Sequence, residues 1–171
     1  MFRNKLYKIV ENFDAVSSKR EWVNQWKHAS FGDQLLASAC LHGLFFTSLD
    51  LVHMWLKNKT RSIFSHEIVD IMEKMIIDQG LQRDFSCLMI SHLKTKPSKE
   101  KMLETINQTA KLEFDFLLNG LKTLELITIE PEEIINLIDR NTKILKQKVR
   151  LLNLEHFIMI RDNKIFLFLA V

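Results

Sequence analysis

Residues 76–90 read IIDQGLQRDFSCLMI, and this stretch decides how the chain must fold. Apolar residues recur there every three or four positions, which predicts a helix with one face turned to a core. Gln79 and Gln82 place two amides on that face. A buried amide without partners costs roughly 1–3 kcal/mol. The stretch therefore predicts a polar pocket inside a helical core.

The composition around this stretch indicates one all-α domain. The chain has 171 residues, of which 47% are hydrophobic and 26% charged, with only four glycines and two prolines. Few turn residues favour long helices, and the length suits a single core. The formal net charge of +3 is too small to indicate a nucleic-acid partner.

The same composition predicts a cytoplasmic protein. The N-terminal stretch MFRNKLYKIVENFD carries acidic residues, unlike a signal peptide. No uninterrupted apolar run approaches the roughly 18 residues of a membrane span. Cys40 and Cys87 lie in apolar segments, which favours buried free thiols in a reducing compartment.

Hydrophobic spacing and helix-start signals predict six helices. Ser18 begins a capping-box pattern, S-K-R-E, Ser30 begins a weaker cap, and Pro131 suits the first turn of a helix. The predicted helices cover about residues 3–12, a short segment from 18 that holds Trp22 and Trp26, and then 31–58, 65–94, 98–119 and 130–153.

The spacing also predicts which faces point inward. The inward rows are Leu35, Ala39, His42, Phe46 and Leu49 in the helix at 31–58; Ile68, Met72, Met75, Gln79, Gln82, Ser86, Met89 and Leu93 in the helix at 65–94; and Ile106, Thr109, Leu112 and Phe116 in the helix at 98–119. On this reading His42, Gln79 and Gln82 share one polar pocket. A hydrogen-bonded structural cluster would satisfy the same pattern.

The C-terminal tail has a different character. Two β-rich runs flank R-D-N-K in HFIMIRDNKIFLFLAV, which predicts a β-hairpin. We therefore divide the chain into a helical domain at 1–154 and an apolar tail at 155–171.

Four short motifs give the chain a family resemblance. They are KREWVNQW from Lys19, ACLHGLFFT from Ala39, IDQGLQRDFSC from Ile77 and LEFDFL from Leu112. In this order they resemble K-x-x-W-x-x-x-W, A-x-x-E-G-x-F-F-S, R-D-E-G-L-H-x-D-F-A-C and I-E-x-E-F-L of the class I ribonucleotide reductase small subunit. The similarity runs over about residues 5–153.

The resemblance implies a partial ferritin-like bundle and a family di-metal site, such as a di-iron centre. Bundles of that kind use a carboxylate from each of two helices and a Glu-x-x-His from each of two others. Here His42 stands at a carboxylate position, and Gln79 and Gln82 stand at a Glu-x-x-His. Amides hold hard cations poorly. We therefore expect no metal and no cofactor, and no catalytic residue is assigned.

Three further residues match family positions that serve the metal site and the radical, neither of which we expect here. Asp78 matches an aspartate on the family's radical-transfer route, and Phe45 and Phe46 match residues of the apolar pocket beside the radical. Tyr7, the only tyrosine, lies outside every matching motif. Without metal or radical we expect these residues to be structural.

The resemblance leaves several functions open, and most of them are not enzymatic. The first is a non-catalytic partner of an intact small subunit, or of a second copy of this chain. The alternatives are a helical interaction module unrelated to nucleotide reduction, an oxidoreductase subunit whose ligands come from another chain, and a gene relic. Docking to a large subunit is doubtful because no acid follows Asp162 in the tail.

Overall fold

The computed structural model describes residues 14–59, 66–123, 129–151, 156–161 and 164–169. The helix predicted at 3–12 lies outside these residues. Six helices and a hairpin follow one another: α1 Asp14–Asn24, α2 Phe31–Leu44, α3 Thr47–Lys59, α4 His66–His92, α5 Lys99–Thr123, α6 Pro131–Leu151, β1 His156–Arg161 and β2 Lys164–Leu169.

Serine side chains cap two of the helices, and one predicted start is wrong. Ser30 caps α2, because its hydroxyl accepts a hydrogen bond from the backbone N–H of Asp33. Ser98 does the same for Lys101 at the start of α5. Ser18 lies inside α1, where its hydroxyl donates to the carbonyl of Asp14 instead of capping the helix. Trp26 lies just beyond the end of α1.

The single helix predicted at 31–58 is also wrong, because it breaks into α2 and α3 at Phe45 and Phe46. The backbone N–H of Phe45 still bonds the carbonyl of Leu41, and the chain re-enters helix through Leu49 and the carbonyl of Phe46. The break leaves the N–H of Ser48 and the carbonyl of Phe45 to side chains of other helices. Neither residue at the break is a glycine or proline.

The core forms around α2, which packs against α4, α5 and α6. Its main cluster includes Leu36, Cys40, Leu44, Cys87, Ile90, Ile106 and Leu145. A second cluster joins α3 to α5 and α6 through Leu51, Leu117, Ile134, Leu137 and Ile138. Both cysteines are free and buried as predicted, and burial raises the pKa of each thiol to about 12.

The inward face of α4 differs from the predicted one. Ser86 of the predicted inward row is buried, beside Cys87 and Ile90, whereas Ile68 and Met75 of that row are exposed. The helix lies at the edge of the bundle, and it therefore buries only part of its circumference. Apolar spacing alone could not identify the buried side, because α4 carries apolar residues nearly all round.

The tail contains the predicted hairpin. β1 and β2 pair antiparallel, with Phe157 opposite Phe168 and Arg161 opposite Lys164. The only stretch of the described residues that is long and apolar enough to cross a membrane is Phe31–Lys57. More than half of its most apolar window is buried inside the bundle, as in the core helix of a soluble protein.

Candidate functional site: a polar pocket and a buried ion pair

The polar pocket predicted from the sequence forms where α2 contacts α4. The Nδ1 atom of His42 lies 2.7 Å from the Oε1 atom of Gln79. An amide oxygen can only accept, so the imidazole donates through Nδ1. The ring of Phe46 stacks on the imidazole at 6.1 Å between centroids, with 4° between the planes. The histidine is therefore fixed by one hydrogen bond and one ring contact.

A small cavity of about 60 Å³ adjoins this hydrogen bond, with room for a few water molecules. Its walls include His42 and Gln79, together with Asp50 of α3 and Asn141 of α6. The Asn141 amide donates to the Thr47 hydroxyl at 3.0 Å and to the Asp50 carboxylate at 3.1 Å. The cavity is therefore lined by polar groups that already have partners.

Arg83 adds a positive charge to the wall of this cavity. Its aliphatic stem crosses α2 at Gly43, where a Cβ atom would lie only 3.0 Å from the arginine Cδ. Its Nε donates to Asp84 at 2.8 Å, and Lys148 bonds the other oxygen of that carboxylate at 2.8 Å. Gly43 therefore provides the space that lets this guanidinium lie beside the pocket.

Gln82 does not join the pocket, so the prediction that three polar residues share it is wrong in this part. Its side chain is exposed, and its backbone carbonyl accepts a hydrogen bond from the hydroxyl of Ser86. Residues three apart on a helix are about 60° apart around its axis. At the edge of a bundle that rotation is enough to turn Gln82 to the solvent while Gln79 stays inside.

The residues present do not fit a di-metal centre. His42 donates through Nδ1 to Gln79, Gln82 is exposed, and the charged residues that line the cavity are one carboxylate, Asp50, and one cation, Arg83. Among the described residues, no group of three or more His, Cys, Asp or Glu side chains could hold a metal ion. The cavity offers one imidazole, two amides and a single carboxylate, Asp50, where a di-metal centre requires several carboxylates.

The other predicted positions are dispersed. Asp78 is exposed on α4. Phe45 is buried against Trp22, with the rings edge to face at 5.0 Å. Phe46 lines the polar cavity and also an apolar groove between α3, α4 and α5. The structure brings Phe46 to His42 and Gln79, and it leaves Asp78 apart from them.

A second polar site, which the sequence analysis missed, joins α1 to α5. Lys19 forms an ion pair with Glu113, whose side chain is completely buried. The other carboxylate oxygen accepts from the Ser48 N–H at 2.9 Å. The Lys19 ammonium lies 3.7 Å from the centre of the Phe116 ring and 3.4 Å from the carbonyl oxygen of Phe45. The break between α2 and α3 thus supplies both backbone groups that the pair uses.

Burial shifts both groups of this pair toward their neutral forms. Loss of solvation raises the pKa of Glu113 to about 7, although Lys19 and Ser48 oppose the shift. Loss of solvation also lowers the pKa of Lys19, against the attraction of Glu113. Each charge is therefore tolerated only because the other is present.

Helical spacing would have revealed Glu113. Ile106, Thr109, Glu113 and Leu117 follow one another at steps of three, four and four, and all four are buried. Lys19 and Glu113 also lie in two of the motifs that resemble the reductase family. A charged residue on a buried row requires a partner of opposite charge. Lys19, the first residue of the tryptophan-containing motif, could supply that charge.

Comparisons with known proteins agree with this all-α architecture. The sequence matches the family described as ribonucleotide reductase, small chain, over residues 2–148. It is 29% identical to ribonucleoside-diphosphate reductase subunit M2 of Rattus norvegicus over 96% of this chain and 39% of that protein. It is 33% identical to the small chain of variola virus over 67% of this chain, and to the human M2 subunit over 70%.

The chain belongs to the ribonucleotide reductase small-chain family, as the motifs indicate. Its helices form an all-α bundle that agrees with the ferritin-like fold of this family. The chain spans less than two fifths of the length of these relatives.

Proposed function

We propose that this protein is a non-catalytic member of the small-chain family that acts in the cytoplasm by pairing with other protein chains, either an intact small subunit or a second copy of itself. The observation that carries the proposal is the contact between His42 and Gln79 at 2.7 Å. These two residues stand where the family resemblance places metal ligands, and here they bond each other. The one carboxylate in the same cavity wall, Asp50, lies with the cation Arg83, so the site lacks the several carboxylates that a di-metal centre uses.

Metal loading tests the loss of the centre. We expect the purified chain to bind no stoichiometric iron or manganese after anaerobic loading, and to show no tyrosyl radical in electron paramagnetic resonance. An intact small subunit treated in parallel is the positive control. About two iron ions per chain with oxo-bridge absorption would contradict the proposal.

Co-purification tests the pairing. We expect the tagged chain to retain an intact small subunit from the same organism, and the complex to survive gel filtration. The alternative is a helical interaction module unrelated to nucleotide reduction, and the exposed apolar side chains of α4 favour it equally. Capture of other proteins without any small subunit would favour that alternative.

A further inference from the structure

An apolar groove of about 430 Å³ lies between α3, α4 and α5. Most of its lining side chains are apolar, and they include Phe46, Leu49, Val52, Met72, Met75, Phe116 and Leu117. Met75 is 44% exposed, so the groove is open to the surface. We call it the α3–α5 groove. An uncovered apolar surface of this kind commonly marks an interaction site.

The direction of α1 relative to α5 shows where the chain approaches this groove. Trp26, just beyond the end of α1, lies near Lys101 at the start of α5, with 6.0 Å between the lysine Nζ and the ring centre. Lys19 pairs with Glu113, and its Nζ lies 3.7 Å from the ring centre of Phe116, in the second half of α5. The two helices therefore run antiparallel.

This arrangement brings the first described residue of α1 to the groove. Asp14 precedes Lys19 by five residues, which is about 7.5 Å along a helix. The same distance along α5, from the level of Glu113 and Phe116 toward the C-terminus, ends near Gly120, and Gly120 lines the groove. Residues 1–13, outside the described part of the chain, therefore join α1 beside the groove.

Residues 1–13 have an apolar row that matches the groove. Its members are Phe2, Leu6, Ile9 and Phe13. They follow at steps of four, three and four, so the helix predicted at 3–12 would place them on one side. Leu6 to Phe13 would span about 10 Å of helix, and the wall of the groove from Phe46 to Val52 spans about 9 Å of α3. Three residues of the row therefore fit the length of the groove.

Charge complements the apolar match. Residues 1–13 are mainly basic, with Arg3, Lys5 and Lys8 against Glu11. The first turns of α4, which lead to the groove at Met72, are mainly acidic and exposed, with Glu67, Asp70 and Glu73 against Lys74. The segment and this rim of the groove therefore attract each other.

We propose that residues 1–13 bind in the α3–α5 groove of the same chain as an amphipathic helix, with Leu6, Ile9 and Phe13 against its walls. The groove is then a binding site for the N-terminal segment and is not open to other proteins. This contact is independent of the proposed loss of metal and of the proposed pairing, and each can fail without the other.

The apolar tail is less well placed than residues 1–13 to fill the groove. The helix that leads to the tail, α6, meets α4 where Lys148 bonds Asp84. Asp84 is nine residues from Met75, which is about 13 Å along α4. Earlier in α6, Asn141 bonds Thr47 beside the groove. From that point to Lys148, α6 therefore runs away from the groove.

Crosslinking within one chain tests the occupant. Leu6→Cys combined with Met75→Cys should be joined by a short bismaleimide, at a yield that does not depend on protein concentration. Lys8→Cys combined with Met75→Cys is the control, because Lys8 would lie about 160° around the helix from Leu6, and its yield should be roughly fivefold lower. Tryptic mass spectrometry identifies the linked peptides.

Two outcomes of this crosslinking would overturn the proposal. Equal yields from the two pairs would show that the segment does not present its apolar row to the groove. Links that form only between chains would assign the groove to a second copy. The native thiols of Cys40 and Cys87 are fully buried and should not react.

Dye binding tests whether the segment covers the groove. Leu6→Glu places a charge in the apolar row, so we expect it to raise the fluorescence of bound anilinonaphthalene sulfonate by roughly twofold or more. Asn4→Glu is the matched control, because it makes the same change of charge on the opposite side of the helix. Circular dichroism checks that both variants keep the helical signal of the bundle. Equal dye binding by the two variants would overturn the proposal.

Discussion

The pocket between α2 and α4 and the ion pair between α1 and α5 both place polar side chains inside the bundle. They stabilise these side chains in different ways. Around His42 and Gln79, a single hydrogen bond satisfies two polar side chains that are only partly buried. Around Glu113, a completely buried carboxylate is held by a lysine and a backbone N–H. The first site lies where the motif resemblance predicts family ligand positions, and the second lies in two other motifs that resemble the family.

The difference shows which sites in this fold can stabilise a buried charge. A carboxylate inside a bundle requires a cation, either a metal ion or a basic side chain. Glu113 has Lys19 within the same chain, so its charge is compatible with burial. At the α2–α4 pocket the residues are an imidazole and an amide, which need no counter-ion. The buried carboxylate therefore occurs where a basic side chain neutralises it, and the His42–Gln79 contact adds no charge of that kind.

Removal of Glu113 should have the largest effect on stability. We expect Glu113→Ala to lower the free energy of unfolding by about 3–5 kcal/mol, because it leaves the Lys19 ammonium among Phe45 and Phe116 without its counter-charge. Urea denaturation followed by circular dichroism measures the change.

The controls for this prediction separate charge from hydrogen bonding. Lys19→Met combined with Glu113→Leu should recover most of the loss, because neither variant residue is charged. Gln79→Ala should cost only about 1–2 kcal/mol, the value of one buried hydrogen bond. If Gln79→Ala proves as damaging as Glu113→Ala, the contrast between the two sites is wrong.

Restoring the family ligands should be the next most damaging change. We expect the triple variant His42→Glu, Gln79→Glu and Gln82→His to lose roughly 2–4 kcal/mol and to gain neither stoichiometric metal nor activity. Two carboxylates would face each other where the atoms now lie 2.7 Å apart. Thermal melting and metal analysis measure both results.

Gln82→His alone serves as the control for the triple variant, since Gln82 is exposed and its replacement should change stability by less than about 0.5 kcal/mol. An unchanged melting temperature in the metal-free triple variant would show that the pocket tolerates buried carboxylates after all.

The smallest expected effect is a pH dependence that belongs to the ion pair. The pKa of Glu113 is raised to about 7 in the fold from 4.5, so the native state binds the proton more tightly than the unfolded chain does. The stability that this adds is fully present below pH 4.5 and is lost as the pH rises through 7. The slope is at most about 1.4 kcal/mol per pH unit.

Comparison with Glu113→Gln isolates the pH dependence that Glu113 adds to stability. The difference in unfolding free energy between the wild type and the variant should fall between pH 4.5 and 7, as measured by urea denaturation at several pH values. Lys19 is the charged residue that faces Glu113, and loss of solvation lowers its pKa against the attraction of Glu113. A flat difference would show that Glu113 stays ionised throughout.

The sequence by itself determined the helical class, most helix positions, the tail hairpin and the family, because these depend on local spacing, capping residues and short motifs. It also brought His42 and Gln79 together, since both lie on inward rows of adjacent helices. Only the tertiary structure decided that Gln82 turns outward and that α4 lies at an edge, because burial depends on what packs beside a helix.

The break at Phe45 and Phe46 and the pairing of Lys19 with Glu113 belong to the tertiary structure for the same reason. Ninety-four positions separate the two charged residues, and no local pattern reports their contact. Neither residue at the break is a glycine or proline, and Gly43 lies two positions before it, within α2. A buried carboxylate that accepts the N–H of Ser48 stabilises the break, and that carboxylate arrives from another helix.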